Sequence, residues 1–291
     1  MIQSASGGMM KIFLGFCIVL SAITAFGQTG QTDYGLTDDE YTPIPPARCD
    51  IRWLIDTPTA HMLPRSSFDI DVRTIPESGV QTSLCIGLAH RFSIGIAYGG
   101  EKILSEGTPE WSPRISFKIR YCLIEETNSF PQTTIGFSSL GYGLFREQDS
   151  TLGYEEDRHF VKSPGFYLAF SKRYPIHLNK FSLHGGINYS LENGIDSDPN
   201  FFSGMAASFG YNLIFLAEYD FAINDNKPSG IFGRGRGYLN VGLAWYITPE
   251  LSLEIDFKNL LLNRMNREDI GYENKALDRE IRLVYLQFFK D

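Results

Sequence analysis

Leu213-Ile-Phe-Leu-Ala-Glu-Tyr-Asp-Phe-Ala-Ile-Asn224 is the stretch whose reading decides the fold. Its odd positions, Leu213, Phe215, Ala217, Tyr219, Phe221 and Ile223, are all apolar or aromatic, while its even positions include Glu218, Asp220 and Asn224. Alternation of this kind makes a β-strand with one apolar face and one polar face. The strand is long. A soluble strand typically has about 5–6 residues, and a strand tilted through a bilayer needs about 9–11. Inside a soluble barrel its acids would be buried at several kcal/mol each unless paired. In a membrane barrel the apolar face meets lipid and the acids meet a wet lumen. On that reading Phe215→Arg is costly and Leu216→Arg, which shares parity with Glu218, is tolerated.

The same alternation recurs outward in both directions. Strands are expected near 66–73, 80–88, 91–98, 115–123, 132–139, 165–171, 181–189, 201–211, 213–224, 238–245, 251–258 and 279–289, twelve in all. The connections form two sets. Long ones are expected at 75–79, 99–112, 140–162, 192–200, 225–235 and 262–278, and short ones at 89–90, 125–131, 173–178, 212 and 248–250. An even strand count with long loops at one end and short turns at the other is the pattern of an outer-membrane barrel. A Greek-key sandwich has no reason to keep it. The expected fold is therefore an all-β, up-and-down antiparallel transmembrane β-barrel over 66–289. Tyr98, Tyr121, Tyr189, Tyr211, Trp245 and Tyr285 lie near strand ends, where aromatic rings settle at the headgroup level.

Composition agrees. The 291 residues carry a net charge of −8, 28 glycines and 14% aromatics, and the mean hydropathy is −0.14. The acidic balance argues against nucleic acid as a partner; the partners expected are outer-membrane lipids. Lys11 followed by the apolar run Ile12–Phe26 and Ala25-Phe26-Gly27 reads as a secretory signal peptide over 1–27. Residues 28–50, acidic and Pro-containing, read as a flexible leader. Residues 51–65 form either a pre-barrel stretch held extended by Pro58 and Pro64 or a plug inserted in the lumen, with Trp53 and His61 as its other marked residues. Of the cysteines left after cleavage, Cys85 and Cys122 sit mid-strand as small packing residues.

The inward parity collects Asp69, Asp71, Arg73, Lys118, Arg120, Glu218, Asp220, Glu254, Asp256, Lys258, Glu280 and Arg282. Such a set lines a charged pore or, since the signs are mixed, pairs into a network that fills a narrow barrel. Ser182, His184 and Asn188 share one strand face, a set that could hold a nucleophile, base and orienter. In outer-membrane phospholipase A, however, the histidine precedes the serine and the trio faces outward, so the arrangement argues against catalysis. No metal-ligand spacing occurs among the five histidines, and no cofactor is expected. Gly233-Arg-Gly-Arg-Gly237 precedes a strand rather than a helix and reads as a turn, not a phosphate loop.

Trp53-Leu-Ile-Asp-Thr-Pro-Thr-Ala-His-Met-Leu-Pro64 resembles the opening of the YjbH-like outer-membrane barrels, with His61 where they carry arginine, and Lys162-Ser-Pro-Gly-Phe-Tyr167 is similar to short members. The resemblance implies a non-enzymatic outer-membrane barrel in envelope or exopolysaccharide export, with polysaccharide or secretion-system components as partners. An outer-membrane lipid-modifying hydrolase and a structural or adhesive barrel acting through its loops are the alternatives.

Overall fold

The computed structural model describes residues 50–148, 157–176, 179–192, 196–210, 212–226, 233, 235–263 and 277–289. The expected signal peptide, the leader as far as residue 49, and Tyr211 lie outside the described residues.

Thirteen strands follow in chain order: β1 Ser67–Ile75, β2 Gly79–Ala89, β3 Phe92–Glu101, β4 Glu110–Trp111, β5 Ser116–Ile124, β6 Gln132–Ser138, β7 Gly165–Ile176, β8 Asn179–Tyr189, β9 Asn200–Phe209, β10 Leu213–Asp220, β11 Tyr238–Tyr246, β12 Leu251–Lys258 and β13 Asp278–Phe288. Twelve of them pair antiparallel with their neighbours in a closed ring, which β1 seals against β13. The two-residue β4 lies outside the ring and pairs only with the end of β3.

The wall faces as the alternation predicts. Along β10, Ile214, Leu216 and Glu218 are buried, and the residues between them are only partly so. Around the ring Ile96, Phe117, Ile187, Leu243 and Ile255 are exposed, whereas the inward Lys118, Glu254 and Asp256 are buried. An exposed apolar exterior around a buried polar interior is stable only where lipid covers the outside, so this is a transmembrane barrel of the outer-membrane type.

Connection lengths follow the expected alternation with two exceptions. The β1–β2 link, Pro76–Ser78, belongs to the long set by position yet is a tight turn, with Glu77 (φ 56°) and Ser78 (φ 55°) in the left-handed region. The β5–β6 link is longer than its end of the barrel demands. It is tied down by Arg173, whose Nε donates to Glu126 at 2.7 Å.

At the long-loop end, the β6–β7 connection folds back into the lumen. Tyr142 bridges Val161 and Arg146 bridges Arg158, and Leu140, Tyr142, Leu144, Phe145 and Phe160 are buried. The apolar core lies inside the barrel, in two patches. One holds Leu54, Ile55, Ala206, Ile214, Leu216 and Ala244, and the other Ala60, Tyr167, Ala169 and Phe202.

Candidate functional site: the occupied lumen

The chain reaches the barrel at the short-turn end, where Asp50 pairs with Arg173 at 2.7 Å. It rises into the lumen, reverses, and returns to start β1. Trp53 bridges Pro58, Leu54 N–H donates to the Thr57 carbonyl at 3.0 Å, and Thr59 N–H donates to the Arg52 carbonyl at 3.0 Å. Residues 52–59 are thus a hairpin inside the lumen. Pro58 supplies a fixed φ beside the turn and no N–H to satisfy.

A single carboxylate holds the tip. Glu218 accepts the backbone N–H groups of Ile55 (3.0 Å), Asp56 (3.0 Å) and Thr57 (2.9 Å), the Thr57 hydroxyl (2.7 Å) and the Asn240 amide (2.7 Å). A tight turn presents several N–H groups to one side, and an ionised acceptor makes each bond charge-assisted, worth about 1.5–3 kcal/mol. Leu54 and Ile55 then enter a socket in the wall. Its sides are Ile214 and Leu216, and its floor is made of small residues, so that a Cβ built on Gly204 would lie 2.4 Å from Leu54 Cδ1.

Ionic contacts hold the arms. Asp56 pairs with Lys258 (2.6 Å) and Arg73 (3.2 Å), and Arg52 with Asp69 (2.7 Å). Arg120 donates to the carbonyls of Arg52 and Thr59, and Arg282 to that of Leu54 at 3.2 Å. On the returning arm Ala60 N–H donates to Ser171 Oγ at 2.7 Å, and the Thr134 hydroxyl donates to the Ala60 carbonyl at 2.6 Å. Pro64 leaves over Gly87, where a Cβ would lie 2.0 Å from its carbonyl oxygen; only glycine lets the chain pass so close.

All twelve predicted inward charges lie on the inner wall. Besides the hairpin contacts, Arg282 pairs with Asp71 (2.6 Å) and Glu254 (3.5 Å), and Lys258 with Glu280 (3.1 Å). Lys118 donates to Ser83 at 3.1 Å, and Asp220 accepts from Asn200 at 2.7 Å. Asp256 differs. Both its oxygens are buried without a hydrogen-bond partner, next to Glu280 in register and Glu254 two residues before it. Of the marked hairpin residues, Trp53 sets its ring edge against Tyr167 (6.3 Å) and His61 against His184 (5.3 Å). Pro64 accepts the Ser67 hydroxyl at 2.6 Å.

The space left over is small. A cavity of about 40 Å³ lies between the hairpin and the inward-folded loop, and one of about 60 Å³ lies on its other side. Each has room for only a few waters.

One expectation needs correction. Leu216 is fully buried against the hairpin, so a charge there displaces Leu54 and Ile55 instead of meeting a wet lumen. Inward parity means lumen, and this part of the lumen is dry. Ser182, His184 and Asn188 share the inner face of β8 without forming a bonded trio. His184 lies between Ser182 (2.8 Å) and Ser171 (2.8 Å), while Asn188 donates to Pro164 and accepts from Asn200. The apolar socket escaped the reading of inward charges. Its signal was Gly204, Ala206, Gly242 and Ala244, small inward residues on strands flanking Ile214 and Leu216.

Neither a protein-family model nor a curated protein matches the sequence. Solved structures similar to it include porins. A KdgM porin has a TM-score of 0.44 at 10% identity over 77% of this chain and 99% of its own. A NanC porin has 0.39 at 10% over 77% and 100%. The Acinetobacter baumannii outer membrane protein Omp33 has 0.43 at 8% over 78% and 100%. The resemblance to YjbH-like barrels is corrected accordingly: no family model supports it, and these similar structures are small outer-membrane porins and an Omp33 protein.

Proposed function

We propose that the chain is a gated, non-enzymatic channel of the bacterial outer membrane for small polar solutes, held shut by the hairpin at residues 52–59. The observation that carries this reading is the grip of Glu218 on three successive backbone amides at the hairpin tip. These bonds do not depend on hairpin side chains, and water can replace each of them. The ionic contacts of the arms are equally replaceable. A hairpin held this way can leave the lumen and uncover the charged part of the wall, which water wets, as a channel requires. Export of envelope polysaccharide rested on the corrected resemblance and is left without support. The lipids of the outer membrane are the partners that the apolar exterior calls for.

Conductance across planar bilayers tests the reading. The full-length protein is expected to be nearly silent at neutral pH, deletion of residues 51–64 to give steady conductance, and Glu218→Ala to give intermittent openings. A full-length protein that conducts steadily, unaltered by either change, overturns the gate. Silence in all three overturns the channel and favours a barrel that acts through its loops.

A further inference from the structure

Charge is unevenly spread around the lumen. Between the mouth residues Arg173 and Lys180 and the outer rim, the inner faces of β6 to β9 carry no charged side chain: Thr134, Tyr167, Ala169, Ser171, Ser182, Phe202 and Ala206 lie there instead. The one imidazole on this arc is His184, and the hairpin's returning arm sets His61 against it, ring centroids 5.3 Å apart and planes at 89°. Both rings are buried. Neither nitrogen of His61 has a hydrogen-bond partner, and the Ile51 carbonyl already takes the Thr59 hydroxyl at 2.5 Å.

His184 belongs to a chain of bonds that ends on the hairpin. Ser171 Oγ accepts Ala60 N–H, so its own proton is available to His184 Nδ1. The other ring nitrogen then donates to Ser182, whose hydroxyl reaches the Ala206 carbonyl at 3.5 Å. The tautomer follows from the network. In this arrangement Nδ1 has no proton. Protonating it turns an acceptor into a donor facing the Ser171 hydroxyl, which then has to turn its own proton away and accept from both Nδ1 and Ala60.

We propose that His61 and His184 form an acid-sensitive latch, in which protonation at this hairpin–wall contact releases the hairpin from the lumen. The inference rests on the gated-channel reading above. The charged groups facing the pair relieve it only in part, through Asp50 and Glu126. Arg120 is bound to the Thr59 carbonyl. At the mouth, Asp50 and Glu126 are both engaged by Arg173 at 2.7 Å. Two adjacent imidazolium ions would repel each other with no carboxylate between them.

The sign follows from linkage. Burial is the largest influence on His61 and, with Arg173 adding to it and Asp50 opposing, lowers its pKa from 6.5 to about 4. A histidine kept neutral by docking stabilises the docked state fully above its ordinary value and loses that contribution as pH falls towards the docked value. Between pH 7.5 and 5 the shift of His61 alone moves the balance towards release by about thirtyfold.

The test is single-channel recording of the full-length protein at pH 7.5 and 5.0, beside His61→Phe, His184→Gln and the 51–64 deletion. Acid is expected to raise the wild-type open time by more than tenfold, to leave His61→Phe unchanged, to raise the His184→Gln open time by less than the wild type, and to leave the deletion open at both pH values. His61→Phe alters only the hairpin, so it carries the test should His184→Gln misfold. If the deletion conducts but wild-type open time ignores pH, the latch is wrong and the gate stands. If both histidine variants keep the wild-type response, the latch is likewise wrong. A silent deletion removes the gate and the latch together.

Discussion

Asp56 and Lys258, 202 positions apart in sequence, form a two-oxygen ion pair at 2.6 and 2.7 Å, and the same ammonium lies 3.2 Å from the centre of the Tyr142 ring. Asp56 belongs to the hairpin and Tyr142 to the loop that folds in from the opposite end. Arg73 repeats the link, donating to Asp56 at 3.2 Å and to the Gly141 carbonyl at 3.4 Å. The two inserts are therefore held by shared cations on the wall.

Removing one such cation should loosen both inserts. Lys258→Met leaves Arg73 as the one cation still shared by Asp56 and Glu280, and breaking a buried pair from one side costs about 3–5 kcal/mol. Limited proteolysis in detergent, read by mass spectrometry, should show faster cutting within both 50–64 and 139–148. Faster cutting of the hairpin alone would separate the two inserts.

Adjacent residues on β10 should fail in different ways. Phe215→Arg places a cation on the lipid face at about 2–4 kcal/mol near the midplane and should impair folding into vesicles, read by gel mobility with and without heating. Leu216→Arg should insert normally and conduct, because its charge expels Leu54 and Ile55 from their socket. Equal insertion defects would contradict the facing assigned here.

Leu54→Asp tests the socket from the hairpin side. An unpaired carboxylate beside Ile214 and Leu216 costs several kcal/mol, and the wall is untouched. Heated and unheated gel mobilities should match wild type while conductance appears at neutral pH. A silent channel with normal mobility would show that the ionic contacts suffice alone.

The outer loop is anchored in a different way. Glu192 accepts His159 N–H (2.9 Å), Ser163 N–H (3.0 Å) and His159 Nδ1 (2.7 Å). Burial works to raise its pKa, but the His159 imidazole and these bonds outweigh it and hold it at about 2. A depressed carboxylate contributes above its ordinary value and loses that contribution only as pH falls through about 2. Protection of 139–148 from added protease should therefore be the same at pH 5 and 7.5, and Glu192→Gln should abolish it at both. A wild-type loop that loosens at pH 5 would assign the acid response to the wrong insert.

On intact cells, protease should cut within 102–115 and spare 90–91 and 247–250. Cutting confined to the short turns would invert the orientation.

The wall was legible because a period of two with lipid outside leaves a mark at every residue. Facing, strand count and the inner charge set all follow from it. The lumen's contents were less so. Alternation marks Leu216 and Glu218 as inward without distinguishing a dry socket from a wet one; that depends on Leu54, more than 150 positions away. Ser182 and His184 are i and i+2 neighbours and could be paired from sequence. Ser171, the other partner of His184, lies on the adjacent strand and needed the β7–β8 register.

The two arms of the hairpin meet different mechanical boundaries. The returning arm runs through Pro64 and Ser67 into β1 and is clamped to the barrel, while the entering arm is fastened at the mouth by Asp50 and Arg173. Tension on the chain before Asp50 would load the entering arm alone. The Asp50, Arg52 and Leu54 contacts would then break in succession, as in peeling tape, so the peak force would be set by the strongest single contact and not by their sum.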